Sequence, residues 1–329
     1  MRYFVLVTLL ALAATQQAIA QAKKLDPVAL RVSWIASGQF AMYVYGIKKG
    51  IYQAEGIDLQ MLEGTGSGPI INSIGAGTDR FADVDANATA ALIEKGMPVK
   101  ILGAFVQTTP ASIIFFADKG IRSPKDLEGK KVAQTAGDAN HQLFKPLLAV
   151  NKVDESKVQQ VYLDPQSRPV ALITGQVDAM GGYYTQDAYL VEQTAKRKVS
   201  YFRHADFGVN VLSRVIIVNT RNLTEAQRDL NCRMLRATSK AWEEAAKNPD
   251  EATRLLLEMY PKAGSFDYNK TALVNMVALK DTPRSKGKVW GWIAKEDWAD
   301  LIAFRKTYAG ATNVKADDEY YTNAFLECK

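Results

Sequence analysis

The sequence predicts an α/β protein of two lobes joined by a pair of crossing strands, with a helical C-terminal part packed on the first lobe. Three observations predict it. Strand and helix signals alternate through most of the chain, which implies parallel strands with helical crossovers. A strongly apolar run, VIIV at 215–218, comes back late as a strand buried in a sheet. Beyond residue 220 the pattern is nearly all helix, with no strand of its own to cover. A chain of 329 residues is also too long for one small core.

The elements follow in order. LRVSW (30–34) alternates apolar and polar residues and reads as a half-buried strand, and FAMYVYGIKKG (40–50) reads as a helix stopped by Gly50. IDLQML (57–62) is a second strand. Pro69 then sits in the first turn of a helix, where a missing N–H costs nothing. RFADVD, ATAALIEKG and VKILGAF continue the rhythm to residue 105. The second lobe opens after SIIFFADKG, with Ser123 and Pro124 starting a short helix. KKVAQTAG is a strand, a helix begins near Asp138, and strand, helix and strand repeat through VDAMGGYY. These signals place lobe 1 at 21–115 plus 216–329 and lobe 2 at 116–215, with crossings near 116 and 215. Thr224 and Gln227 form a capping-box start for the first C-terminal helix.

Composition excludes several classes. The 41 basic residues are mixed with 35 acidic ones, and no basic stripe interleaved with aromatics appears, so nucleic acid is not an expected partner. Residues 1–20 carry one early positive charge, an apolar run and the small-x-small end Ala18-Ile19-Ala20, the pattern of an export signal cleaved after Ala20. In an oxidising compartment the two cysteines, Cys232 and Cys328, are expected to pair and to staple the C-terminal tail to a helix. Two cysteines and two histidines leave little material for a zinc or iron site. No G-x-S-x-G elbow, P-loop or H-E-x-x-H is present, and no cofactor or enzymatic activity is expected.

Candidate ligand-binding residues sit at strand ends, where ligands of open α/β sheets bind. Gly64-Thr65-Gly66-Ser67-Gly68 precedes a helix N-terminus whose free N–H groups suit a polar acceptor, and Thr65, Gly66 and Ser67 are its contacts. A dinucleotide fingerprint would need glycine where Pro69 stands. Trp34 either stacks on a planar ligand or packs in the core. Asn87 either reads a ligand edge or caps its helix, with the cap favoured. Gln107 occupies a third strand end of this lobe. In the second lobe Asp138 and Asn140 open a helix, while Tyr183, Tyr184 and Asp187 lie near another strand end. The tyrosines either form an aromatic cage or face the core. Arg168 either pairs with an anionic ligand or is a solvated arginine, with the solvated reading favoured.

VSWIASGQFAMYVYGIKKGIYQAEGIDLQMLEGTGSG, FADVDANATAALIEKGMPVKILGAF and LITGQVDAMGGYY, together with the export signal, resemble periplasmic solute-binding proteins of ABC importers. The branch resembled is the sulfonate-, nitrate- and thiamine-pyrimidine-binding group. The resemblance implies a two-lobed, type II-like binding-protein fold that shuts on its solute, working as a monomer in the periplasm and handing the solute to a permease. It also implies ligand contacts from the loop Trp34 to Gln39, from Gly66 and Ser67, and from the turn at Asn87. The absence of a convergent arginine pair leans toward a pyrimidine-like heterocycle over a sulfonate or nitrate. The alternative is activity like that of the related thiamine-pyrimidine synthase, against which the lack of clustered cysteines and the export signal weigh.

Overall fold

The structure, a computed structural model, describes residues 24–328; the predicted export signal lies outside the described residues. The strands are β1 (Asp26–Val32), β2 (Ile57–Leu62), β3 (Phe81–Asp85), β4 (Val99–Val106), β5 (Ala111–Phe116), β6 (Lys131–Gln134), β7 (Gln159–Tyr162), β8 (Ala179–Tyr183), β9 (Val199–Arg203) and β10 (Arg214–Asn219). Among the described residues they form two five-stranded sheets, ordered β2-β1-β3-β10-β4 and β7-β6-β8-β5-β9. In the first sheet β1 pairs in parallel with β2 and β3. In the second, β6 pairs in parallel with β7 and β8.

Two strands depart from the parallel expectation. β10 runs antiparallel between β3 and β4, and β5 runs antiparallel between β8 and β9. Each is the strand that enters its sheet directly from the other one, so it arrives without the helical crossover that parallel pairing requires. The crossings are residues 107–110 and 204–213, so Ala111–Phe116 belongs to the second sheet and Arg214 to the first. The return to the first sheet at Arg214 lies next to the expected 215, whereas residues 111–115, expected in lobe 1, begin the second sheet at Ala111. SIIFF reads as continuous apolar strand whichever sheet it joins, so periodicity could not mark the point of transfer.

The α-helices of seven residues or more are α1 (Ala41–Lys48), α2 (Ser67–Ala76), α3 (Ala86–Glu94), α4 (Ala139–Val150), α5 (Ser167–Ile173), α6 (Asp187–Ala195), α7 (Glu225–Lys247), α8 (Pro249–Met259), α9 (Phe266–Val277) and α10 (Lys295–Tyr308). The long C-terminal helix α7 buries Met234, Leu235, Ala237, Ala241 and Trp242 with α1, β1 and β2 in one core cluster. Thr224 is its N-cap residue, but no side-chain cap bond forms. Helix α10 adds Trp298, Leu301 and Phe304 to a second cluster that also holds Ile113 and Phe115 of β5 and Leu143 and Phe144 of α4. A disulfide joins Cys232 of α7 to Cys328, fastening the tail as expected. No helix among the described residues is long and apolar enough to cross a membrane.

Candidate functional site

The C-terminal ends of β1, β2, β6, β7 and β8 converge on one cavity of about 370 Å³ between the two sheets. The first sheet contributes the loop Ser33–Gln39, with Trp34 half-buried on the wall, and Gly66 and Ser67 after β2. The second sheet contributes Asp138 and Asn140, Arg168 at the start of α5, and Tyr183, Gln186 and Asp187 at the end of β8. Lys262, Ala263 and Tyr268, from the turn before α9 and its first residues, complete the wall.

The loop after β1 is held by buried bonds rather than by regular structure. Arg214 of β10 is buried and donates from Nη1 to the Gln39 carbonyl at 2.7 Å. The same guanidinium is clamped on Asp83, with Nε on Oδ1 at 2.8 Å and Nη2 on Oδ2, and lies over the Phe40 ring at 4.3 Å. Tyr43 donates its hydroxyl to Asp83 as well. Gly38 donates its N–H to Asn269 Oδ1 at 2.7 Å. A Cβ on Gly38 would stand 1.8 Å from the Asn269 carbonyl oxygen, so only glycine lets α9 approach the loop this closely. Ala36 N–H donates to Glu63 Oε1 at 2.5 Å, tying the loop to the end of β2.

Gly66 has φ of 127°, a backbone state that favours glycine, and it turns the chain into α2. Ser67 is buried, and its hydroxyl accepts from the Asp85 N–H at 3.0 Å. Asp85 in turn caps α3 by accepting from Ala88 N–H at 2.9 Å. Burial pushes the Asp85 carboxyl up to about 7 against the opposing pull of its backbone bonds and of Arg305.

Across the cavity Asp138 caps α4 by accepting from His141 N–H at 2.7 Å, and Arg168 Nη1 reaches Asp138 at 3.1 Å and the Gly181 carbonyl at 3.0 Å. Asp187 accepts from the Tyr183 N–H at 2.8 Å. Burial raises both carboxyls above the ordinary aspartate value, with Arg168 pulling the other way. The inner charges of the wall are thus two half-buried carboxylates and one buried guanidinium. Three lining residues also carry buried polar atoms with no hydrogen-bond partner among the described residues: the acceptors Asn140 Oδ1 and Gln186 Oε1, and the donor Arg168 Nε. Buried polar groups are normally paired, so these three atoms leave unmet hydrogen-bonding capacity on residues that line the cavity.

Eight of the twelve sequence candidates line the cavity: Trp34, Gln39, Gly66, Ser67, Asp138, Asn140, Tyr183 and Asp187. Four lie elsewhere. Thr65 is exposed beside the loop. Asn87 neither lines the cavity nor caps α3, since Asp85 holds the cap; its Oδ1 accepts from Arg305 Nη1 at 2.6 Å. That arginine also grips Glu94 through Nε and Nη2 at 3.1 and 2.7 Å. Gln107 is locked at the first crossing, donating to the Trp292 carbonyl at 2.7 Å and accepting from Ser285 at 2.7 Å. Tyr184 turns away to stack on Tyr201, with ring centroids 5.3 Å apart. Sequence reasoning missed Arg168, Gln186 and Tyr268. Arg168 had a signal, since an arginine beside Pro169 after a strand lies at a strand-to-helix end like the residues chosen.

Neither histidine lines the cavity. His141 accepts from Gly137 N–H and meets Tyr162 edge-on, while His204 is fully buried at the second crossing. No group of three or more metal-ligating side chains occurs among the described residues.

Known proteins bear on this geometry. The formylaminopyrimidine-binding protein of Halalkalibacterium halodurans is 22% identical over 280 residues, 85% of this chain and 84% of that one. The 4-amino-5-hydroxymethyl-2-methylpyrimidine phosphate synthase of Legionella pneumophila is 23% identical over 247 residues, 74% of this chain and 77% of its own. Among solved structures, the periplasmic aliphatic sulphonate binding protein SsuA from Escherichia coli superposes with a TM-score of 0.68 at 15% identity, covering 92% of this chain and 94% of that one. The likeness shows the periplasmic-binding-protein fold, with two mixed sheets and flanking helices. Residues 37–252 match the family described as NMT1/THI5 like. That match takes in Ser37 and Gln39 at the end of the loop after β1, the Gly66–Ser67 turn and every cavity residue of the second sheet, and by it the chain belongs to the NMT1/THI5-like family.

Proposed function

We propose that the protein is an exported receptor that captures a planar, nitrogen-containing heterocycle of the pyrimidine kind between its two lobes and delivers it to a permease of an ABC importer. The observation that carries this reading is the set of unpartnered polar atoms on residues that line the cavity. Two acceptors and one donor without partners suit a ring edge that offers N–H groups beside a ring nitrogen or carbonyl. Asp138 and Asp187 add carboxylate acceptors, while Arg168, the one arginine among the described residues that line the cavity, is already engaged by Asp138, an arrangement poorly matched to a sulfonate or nitrate. Trp34 supplies a face for stacking. The pyrimidine in the names of two relatives agrees with this choice.

Binding works by closure. Contacts to Trp34 and Ser67 come from one lobe and contacts to Asp138, Arg168 and Asp187 from the other. A ligand that touches both shifts the open–closed equilibrium toward the closed form. The protein acts as a monomer in the periplasm after removal of residues 1–20.

The synthase name of one relative gives a second reading, an enzyme that makes such a pyrimidine. Both histidines lie off the cavity and the two cysteines are bonded to each other, which favours the receptor. A thermal-shift screen against aminopyrimidines, flavins, alkanesulfonates and nitrate tests the choice. A heterocycle at about 100 times its Kd stabilises by about 2.7 kcal/mol, and Trp34→Ala loses most of that shift. A shift with sulfonate or nitrate and none with any heterocycle refutes it. Conversion of the ligand to a new product during incubation favours the enzyme.

A further inference from the structure

The cavity changes character from floor to mouth. Several polar lining residues are buried, among them Ser67, Asn140, Arg168 and Gln186, while Thr194 and Lys262 are exposed. The apolar lining residues farther out are not buried, with Ile35 47%, Val170 55% and Leu190 36% exposed. Two helices run along this gradient. Helix α5 begins with buried Arg168 and carries Val170 and Ile173 outward; α6 begins with Asp187 and carries Leu190 and Thr194. From Asp187 to Thr194 a helix rises about 10 Å, which is longer than one six-membered ring. The volume points the same way, since 370 Å³ is room for roughly a dozen waters at about 30 Å³ each. Single exposed apolar side chains are ordinary, but three gathered from both lobes at one mouth call for a partner.

We propose, resting on the heterocycle reading above, that the captured solute has two parts: a heterocyclic head seated on the polar floor, and an apolar arm, a second ring or short alkyl chain, lying between Ile35 and the Val170–Ile173–Leu190 face. The floor fixes orientation through hydrogen bonds, and the mouth adds affinity by covering the arm. A solute lacking the arm leaves this apolar surface in water or lets the two lips meet.

Calorimetric titration of the purified protein with two probes tests this. One is 4-amino-2-methylpyrimidine; the other is the same ring with a benzyl group at carbon 5. The benzyl compound binds at least about tenfold more tightly, as burial of several apolar carbons requires. In Val170→Asp and in Leu190→Ser, both at exposed positions where folding is not at stake, the ratio of the two affinities falls toward one. Equal affinities in the unaltered protein, weaker binding of the benzyl compound, or a ratio that survives both substitutions would each overturn the two-part solute. The plain ring reports on the heterocycle reading by itself. Its failure to bind, with the benzyl compound also silent, overturns both.

Discussion

Replacing Asp85 with asparagine separates two things that this residue does. As the N-cap of α3 it accepts a hydrogen bond from Ala88 N–H at 2.9 Å, and asparagine caps equally well. As a buried carboxyl it titrates at about 7, raised chiefly by burial and also by Asp138 from the facing lobe. In the unfolded chain the same group titrates near 3.9. The native state therefore holds the proton more tightly, and between about pH 4 and pH 7 stability falls as pH rises through this group. A shift of about 3 units at 1.36 kcal/mol each amounts to at most about 4 kcal/mol. Urea unfolding at pH 4 and at pH 8 measures it. Asp85→Asn matches the unaltered protein near pH 4 and exceeds it by up to that amount at pH 8, with the difference opening across the interval. A constant offset between the two proteins over the whole range would refute the reasoning, because it would place the carboxyl in water.

Two further outcomes follow from buried or covalent links. Arg305→Met strands Glu94, which is buried and otherwise gripped at two oxygens, and lowers unfolding stability by about 3–5 kcal/mol; the ligand-induced thermal shift persists, because Asn87 and Arg305 stand outside the cavity, and a loss below about 1 kcal/mol would count against the pair. Reduction of the Cys232–Cys328 bridge, which spans 96 residues of sequence, removes a constraint worth about 5 kcal/mol in the chain-entropy picture and lowers the urea midpoint; an unmoved midpoint in dithiothreitol would show that the tail is held by packing alone.

The elements were legible because their signals are local. Alternation in LRV and IDLQML matches half-buried β1 and β2, and α7 shows its inward stripe from Met234 to Ala245. Points of transfer between sheets were less legible. Phe115 is buried in the second sheet as Ala104 is in the first, and nothing in an apolar run says which neighbours it will have. Strand direction at β5 and β10 was hidden for the same reason: the 4 and 10 residues that carry the chain across contain no α-helix to declare or deny a crossover, and pairing is settled by where the chain arrives.

The site poses a sharper problem, because a buried polar residue at a strand end looks the same whether it waits for a ligand or is already paired. Asn87 and Gln107 have the residue type and position of ligand contacts, yet Arg305 from 218 residues away and Ser285 from 178 away consume their hydrogen-bonding atoms. Arg168 was read as solvated because most arginines are, yet it is buried against Asp138 and keeps an unpartnered Nε. What separates the two groups is satisfaction: a polar atom whose partner is supplied within the fold is structural, and one left without a partner in a cavity wall is where recognition is expected. That property depends on contacts distant in sequence, so no motif encodes it. It also ranks the candidates without reference to any relative: Asn140, Arg168 and Gln186 come ahead of Asn87 and Gln107 as places where substitution alters ligand choice, although Asn140 and Arg168 also hold bonds within the fold.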